Sequence, residues 1–82
     1  MSPALPVLSG AEAIRVLERA GFAQVSQRGS HARLRGASGR VVIVPLHDEL
    51  ARGTLRSIVR QAGLSAEEVE AAHYGFARVA VA

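Results

Sequence analysis

The stretch Arg28-Gly29-Ser30-His31-Ala32-Arg33-Leu34-Arg35 alternates polar and aliphatic side chains behind a Gly-Ser pair, the pattern of a strand with one buried face. A period of two turns Ala32 and Leu34 toward a core and leaves His31, Arg33 and Arg35 together on the other face. Such a strand needs partners beside it and a layer above Ala32 and Leu34. The flanking sequence supplies both. Phe22 to Gln27 reads as a preceding short strand, joined through a turn near Arg28-Gly29. Gly36-Ala37-Ser38-Gly39 reads as a hairpin loop, and Arg40 to Val44, nearly all β-branched, as a third strand and the most covered of the three. Pro45 stops it.

Helices are expected on either side of these strands. Ser9-Gly10-Ala11-Glu12 has capping-box spacing, in which the Ser hydroxyl accepts from a free helical N–H and the Glu carboxylate reaches back to the cap. Ala13, Ile14 and Leu17 then form an apolar stripe, and Gly21 ends the helix. Leu46 to Arg52 reads as a loop carrying His47, Asp48 and Glu49, after which Gly53-Thr54 opens a second helix. There Leu55, Ile58, Val59 and Ala62 fall on one face, while Arg52, Arg56 and Arg60 recur on another. Gly63 ends it, Ser65 to Glu68 repeats the capping box, and a short third helix runs to about His73 before Tyr74-Gly75. Met1 to Leu8, with Pro3 and Pro6, reads as an irregular, mobile lead-in, and Phe76 to Ala82 is left open between edge strand and tail. The order is helix, three antiparallel strands, helix, short helix. The simplest packing is an α+β sandwich with both main helices on one sheet face, so His31, Arg33 and Arg35 stay on the open one.

Size and composition narrow the function classes. The chain has 82 residues, which allows one domain spanning residues 1–82 near the lower limit for an independent core. Its hydrophobic content of 49% comes mainly from Ala, Val, Leu and Ile, with Phe22, Tyr74 and Phe76 the aromatic residues. With no Cys there is neither a disulfide framework nor a thiolate metal site, in keeping with a reducing cytoplasm. Val41 to Leu46 is too short to span a bilayer, and Met1 to Val7 lacks the pattern of a secretory signal. All ten basic residues are Arg and the net charge is +3, which favours a nucleic-acid partner over a membrane surface. His31 is the candidate proton-transfer group beside arginines suited to phosphate. Ser30, next to it, is expected on the opposite strand face, which argues against a Ser-His nucleophile pair. His73, near the end of the last helix, has a structural reading, and nothing in the spacing of the histidines points to a metal or other cofactor.

Three blocks in this order and spacing resemble the HicA-like, or YcfA-like, mRNA interferase toxins of bacterial type II toxin-antitoxin systems. They are the capped helix ending in Ala20-Gly21-Phe22, then Gly29-Ser30-His31, then Val44-Pro45-Leu46-His47 followed by Gly53 to Leu64. The resemblance runs from about Ser9 to Glu70. It implies a double-stranded-RNA-binding-domain-like fold, a catalytic role for His31, an mRNA substrate and a HicB-like antitoxin partner. The chain departs from the family in carrying Arg28, Arg33 and Arg35 where Lys is common, and the acidic pair Asp48-Glu49 after His47.

The expected function is therefore a cytoplasmic, metal-independent endoribonuclease that blocks translation. RNA cleaves itself when its 2′-hydroxyl is deprotonated, attacks the adjacent phosphorus and expels the 5′-oxygen, so proton transfer, alignment and charge stabilisation suffice. His31 is assigned proton transfer, and Arg28, Gly29, Ser30, Arg33, Arg35, His47 and Arg56 are assigned to RNA contact, with two readings left open: His47 as a second proton-transfer group or a residue that fixes its loop, and the Arg52, Arg56 and Arg60 row as a surface for an acidic partner or a solvated helix face. The competing readings are a non-catalytic module that binds duplex RNA and an inactive toxin that only binds its antitoxin.

Overall fold

The computed structural model describes residues 5–75. Its elements follow in the order α1 (Gly10–Arg19), β1 (Ala23–Arg28), β2 (His31–Arg35), β3 (Val41–Pro45), α2 (Arg52–Ala62) and α3 (Ala66–Tyr74). The fold is α+β, with three helices and a three-stranded antiparallel sheet in the order β1-β2-β3. Phe76 to Ala82 lies outside the described residues.

Helix α1 begins where the capping box predicts: the Glu12 N–H donates to Ser9 Oγ at 3.0 Å and the Ser9 N–H donates to Glu12 Oε1 at 2.9 Å. The same reciprocal pair forms between Ser65 and Glu68 at the start of α3. Helix α2 starts one residue before the predicted Gly53, and its N-cap, Ala51, offers no side-chain hydrogen bond. Its other end is well closed. Gly63 adopts a left-handed conformation, and the Gly63 and Leu64 N–H groups turn back onto the Arg60 and Val59 carbonyls at 3.0 and 3.1 Å. Arg40 then donates to the Gln61 carbonyl at 3.1 Å, satisfying an acceptor that the helix itself cannot pair.

The core lies between the helices and one sheet face. Ala32, Leu34, Val42 and Val44 are wholly buried there, against Leu17 of α1, Leu55 and Ile58 of α2 and Val69 of α3. Strand β2 alternates exposed and buried residues along its whole length, as its sequence requires. Strand β3 has the same two buried positions but half-covers Val41 and Pro45 as well. Strand β1 is an edge strand, and all six of its residues are exposed. The core also recruits two leucines that helix and strand patterning passes over. Leu8, at the end of the lead-in, is 1% exposed, and the Leu50 N–H donates to its carbonyl at 2.8 Å. Residues 5–8 of the lead-in are thus irregular but anchored at Leu8, and residues 1–4 lie outside the described residues.

Boundaries shift by a residue for physical reasons. Phe22 precedes β1 and is buried, with its ring close to Gly36 at the far end of β2. Arg28 joins β1 because it pairs with His31 across the turn. Arg40 leaves β3 for its bond to α2.

Candidate nucleic-acid interface

The His31 site begins with the Gly29-Ser30 turn. Arg28 and His31 are cross-strand partners, so the turn has two central residues. Gly29 has φ +57° and no non-glycine residue among those described has positive φ, so only the first central position is left-handed. That sign pattern is the one in a type II′ hairpin turn, which favours Gly at this place. Ser30 lies in the turn rather than on β2, so strand alternation does not set its direction. Its carbonyl accepts from the Leu46 N–H at 2.7 Å, while its side chain has no hydrogen-bond partner among the described residues.

That Ser30–Leu46 bond also fixes how His31 faces its neighbours. At the other end of the β2–β3 ladder the Gly36 N–H donates to the Arg40 carbonyl at 2.9 Å. Hydrogen-bonded and non-hydrogen-bonded pairs alternate between these two bonds, so His31↔Pro45, Arg33↔Ile43 and Arg35↔Val41 are the non-hydrogen-bonded pairs. Pro45 therefore turns its missing N–H away from β2 and costs the ladder nothing. His31 stands between Arg28 on one side and Pro45 on the other, with Cα separations of about 5.5 and 4.5 Å for such pairs. Arg33 follows on the same face at about 7 Å.

The open face extends over all three strands. Arg28 and Ser26 of β1, His31, Arg33 and Arg35 of β2, and Ile43 of β3 share it. Ser26 faces Arg33, and a bulge between Gln24 and Ser26 inserts Val25, which is exposed like Ile43. No residue of β1, β2 or β3 is acidic. Among the described residues, no hydrogen bond or ion pair engages the side chains of Arg28, His31, Arg33 or Arg35. The arginines are therefore free to meet an anion. Sequence reasoning passed over Ile43 and Ser26, although odd-numbered positions on β3 pair with the His31 face and would have identified Ile43.

His47 is exposed in the loop after β3, and the Leu46–Ser30 bond holds its segment at the His31 end of the sheet. Its carbonyl accepts from the Gly10 N–H at 2.8 Å, so the N-terminus of α1 fixes this loop. Arg56 is exposed on α2, in the helical layer, with the sheet between it and the His31 face. The structure thus brings Arg28, Gly29, Ser30, His31, Arg33 and Arg35 together, keeps His47 at the same end and separates Arg56. His73 lies on α3, half-buried, with its ring edge-on to Tyr74 at 4.7 Å. It acts on Glu12, whose carboxyl sits below its ordinary value. The chief cause is the hydrogen bond from the Ser9 N–H, opposed by burial and aided by the Ser9 hydroxyl and by the charges of His73 and Arg15. Among the described residues no group of three His, Cys, Asp or Glu side chains is placed to hold a metal ion, and no helix is long and apolar enough to cross a membrane.

A helical layer on one sheet face and, on the other, strands that present arginine and histidine and no acidic residue define a small α+β protein with a basic strand face. The family described as HicA toxin of bacterial toxin-antitoxin systems matches residues 10–64, from the start of α1 to the residue after the α2 cap. The chain belongs to the HicA toxin family. No curated protein matches it.

Proposed function

We propose that this chain is a metal-independent endoribonuclease that cleaves mRNA, with His31 as the proton-transfer group and a HicB-like antitoxin as the partner that covers the His31 face. One observation carries the reading: a histidine with no bonding partner among the described residues stands at the turn of a hairpin, beside Arg28 and Arg33 and on the exposed face. Membership of a toxin family adds the biological setting.

In this mechanism the His31 imidazole takes the proton from a ribose 2′-hydroxyl. The 2′-oxygen attacks the adjacent phosphorus, the bond to the 5′-oxygen breaks, and the leaving oxygen takes a proton from water on the open face. Arg28 and Arg33, on either side of His31, hold the phosphoryl oxygens as negative charge builds on them. Arg35 and the Gly29-Ser30 turn align the flanking backbone, and His47 contacts RNA from the loop at the same end. The double-stranded-RNA-binding-domain-like character of the fold belongs to this reading, with the duplex recognised by shape and phosphate contacts.

The test is RNA cleavage in excess chelator by the wild type and by His31→Ala. General acid–base catalysis contributes about 100- to 10,000-fold, so the variant should lose at least about 100-fold in rate while keeping its fold and most of its RNA affinity. Cleavage by His31→Ala at the wild-type rate refutes the assignment. RNA binding by the wild type with no cleavage at neutral pH transfers the protein to the non-catalytic reading.

A further inference from the structure

Helix α2 spends Leu55, Ile58 and Ala62 on the core and turns Arg52, Arg56 and Arg60 outward. Residues four apart on a helix stand about 6 Å from each other along its axis, so the three guanidiniums form a row. Beside the row runs a groove of about 550 Å³ whose apolar side is Leu5, Val59 and Leu64. A smaller cleft of about 90 Å³ shares Leu5 and Arg52 with it and continues to Val7, which is 66% exposed, with Glu49 as the acid at that end. Arg19 and Arg40 are occupied by the Ala72 and Gln61 carbonyls. By contrast, no hydrogen bond or ion pair among the described residues engages Arg52, Arg56 or Arg60.

We infer that this groove docks an acidic segment of a partner protein that carries aliphatic side chains between its carboxylates. The row of cations supplies charge complementarity for carboxylates at matching helical spacing, and Leu5, Val59 and Leu64 supply a surface that aliphatic side chains cover. A phosphodiester backbone would use the cations and leave that apolar wall facing its charges. An RNA strand at His31 also lies on the opposite side of the sheet. A partner attached here holds the toxin without touching the His31 face, so attachment and blockage of that face are separable. The inference does not depend on His31 being catalytic.

The test uses the full chain and three labelled probes in fluorescence anisotropy: a helical peptide bearing Glu at every fourth position beside Leu, the same peptide with Ser for Leu, and an RNA duplex of about 16 base pairs. The Glu/Leu peptide is expected to bind the wild type and to lose about tenfold in affinity for Arg52→Glu/Arg60→Glu, the sum of two exposed charge pairs reversed. Arg52→Ala/Arg60→Ala should lose less, and the Glu/Ser peptide should bind more weakly than its Leu counterpart. RNA binding and RNA cleavage should stay at wild-type levels in both double variants. Equal peptide affinity in wild type and charge-reversed protein overturns the proposal, as does equal binding of the Leu and Ser peptides. Loss of duplex RNA binding in the charge-reversed protein overturns it in favour of an RNA surface. A protein that binds the peptide as expected but cleaves no RNA leaves the groove intact and removes only the His31 reading.

Discussion

Replacing Gly10 by Ala is expected to destabilise the protein, against what helix propensity alone would give. Gly10 opens α1, and a Cβ built on it would collide with the Pro45 carbonyl oxygen and lie 2.8 Å from Leu46 Cα. Both neighbours are backbone, so neither can swing aside as a side chain would. If α1 retreats, the bond from the Gly10 N–H to the His47 carbonyl at 2.8 Å stretches. If the end of β3 moves instead, the Leu46–Ser30 bond at 2.7 Å is disturbed. Overpacking costs about 1–3 kcal/mol and a lost hydrogen bond about 0.5–1.5 kcal/mol. Against these, Ala gains at most about 1 kcal/mol over Gly in helix propensity, and less at a first-turn position. The net loss is roughly 2 kcal/mol, which for a domain of this size lowers Tm by about 8–16 °C.

Gly53 provides the control, because it also lies in the first turn of a helix and a Cβ there meets nothing within 4 Å. Gly53→Ala should raise stability by about 0.4–1 kcal/mol. Thermal unfolding by circular dichroism on the wild type and both variants decides the matter. A Gly10→Ala protein that melts with or above the wild type would refute the close-approach argument, since propensity would then be the larger effect at both sites.

Ser9→Ala should cost about 1 kcal/mol in urea unfolding, by removing the acceptor of the Glu12 N–H. Because the folded-state pKa of Glu12 is depressed, its contribution is present above the ordinary value of 4.5 and is lost as pH falls through the lower folded value. The acid limb of a stability–pH curve should therefore be shallower in Glu12→Gln, and an unchanged limb would contradict the capping box as a source of acid sensitivity. Leu34→Ala empties a wholly buried position on the central strand and should cost about 2–5 kcal/mol, read as a fall in the urea midpoint. Gly29→Ala places a Cβ at φ +57° in open space, so its cost is conformational, about 1–2 kcal/mol, and RNA cleavage should fall with it; full activity at wild-type stability would show that the turn does not present His31.

What the sequence made legible was whatever depends on neighbours a few residues away. The alternation from His31 to Arg35 and both capping boxes follow from local spacing and stand in the structure as read, whereas the helix faces stand only in part: Val16, outside the α1 stripe, is buried, and Ile14 and Val59 are half-buried. Leu8 and Leu50 were not legible, because each lies in irregular chain with no period to mark it, and their burial depends on the Leu50–Leu8 backbone bond. Gly10 was read only as a residue inside a capping box, since its contact with Pro45 and Leu46 spans the whole sheet in sequence. The same limit applies at the site. His31 and Arg33 could be placed on one face from β2 alone, but setting Arg28 opposite His31 needed the register, and separating Arg56 from them needed the layers.

The chemistry and the core are separate in this fold. Every buried side chain among the described residues is apolar, and no buried polar side-chain atom lacks a partner. The groups on the open face of β2 are all exposed and bonded to nothing among the described residues, so substituting them should change stability by no more than about 0.5 kcal/mol. A loss of toxicity in His31→Ala or Arg33→Ala with an unchanged melting curve is therefore a statement about chemistry, whereas the same loss in Leu34→Ala arrives with a lowered Tm and speaks only of folding. If His31→Ala instead melted several degrees below the wild type, His31 would be holding the hairpin together, and its assignment to proton transfer would lose its structural basis.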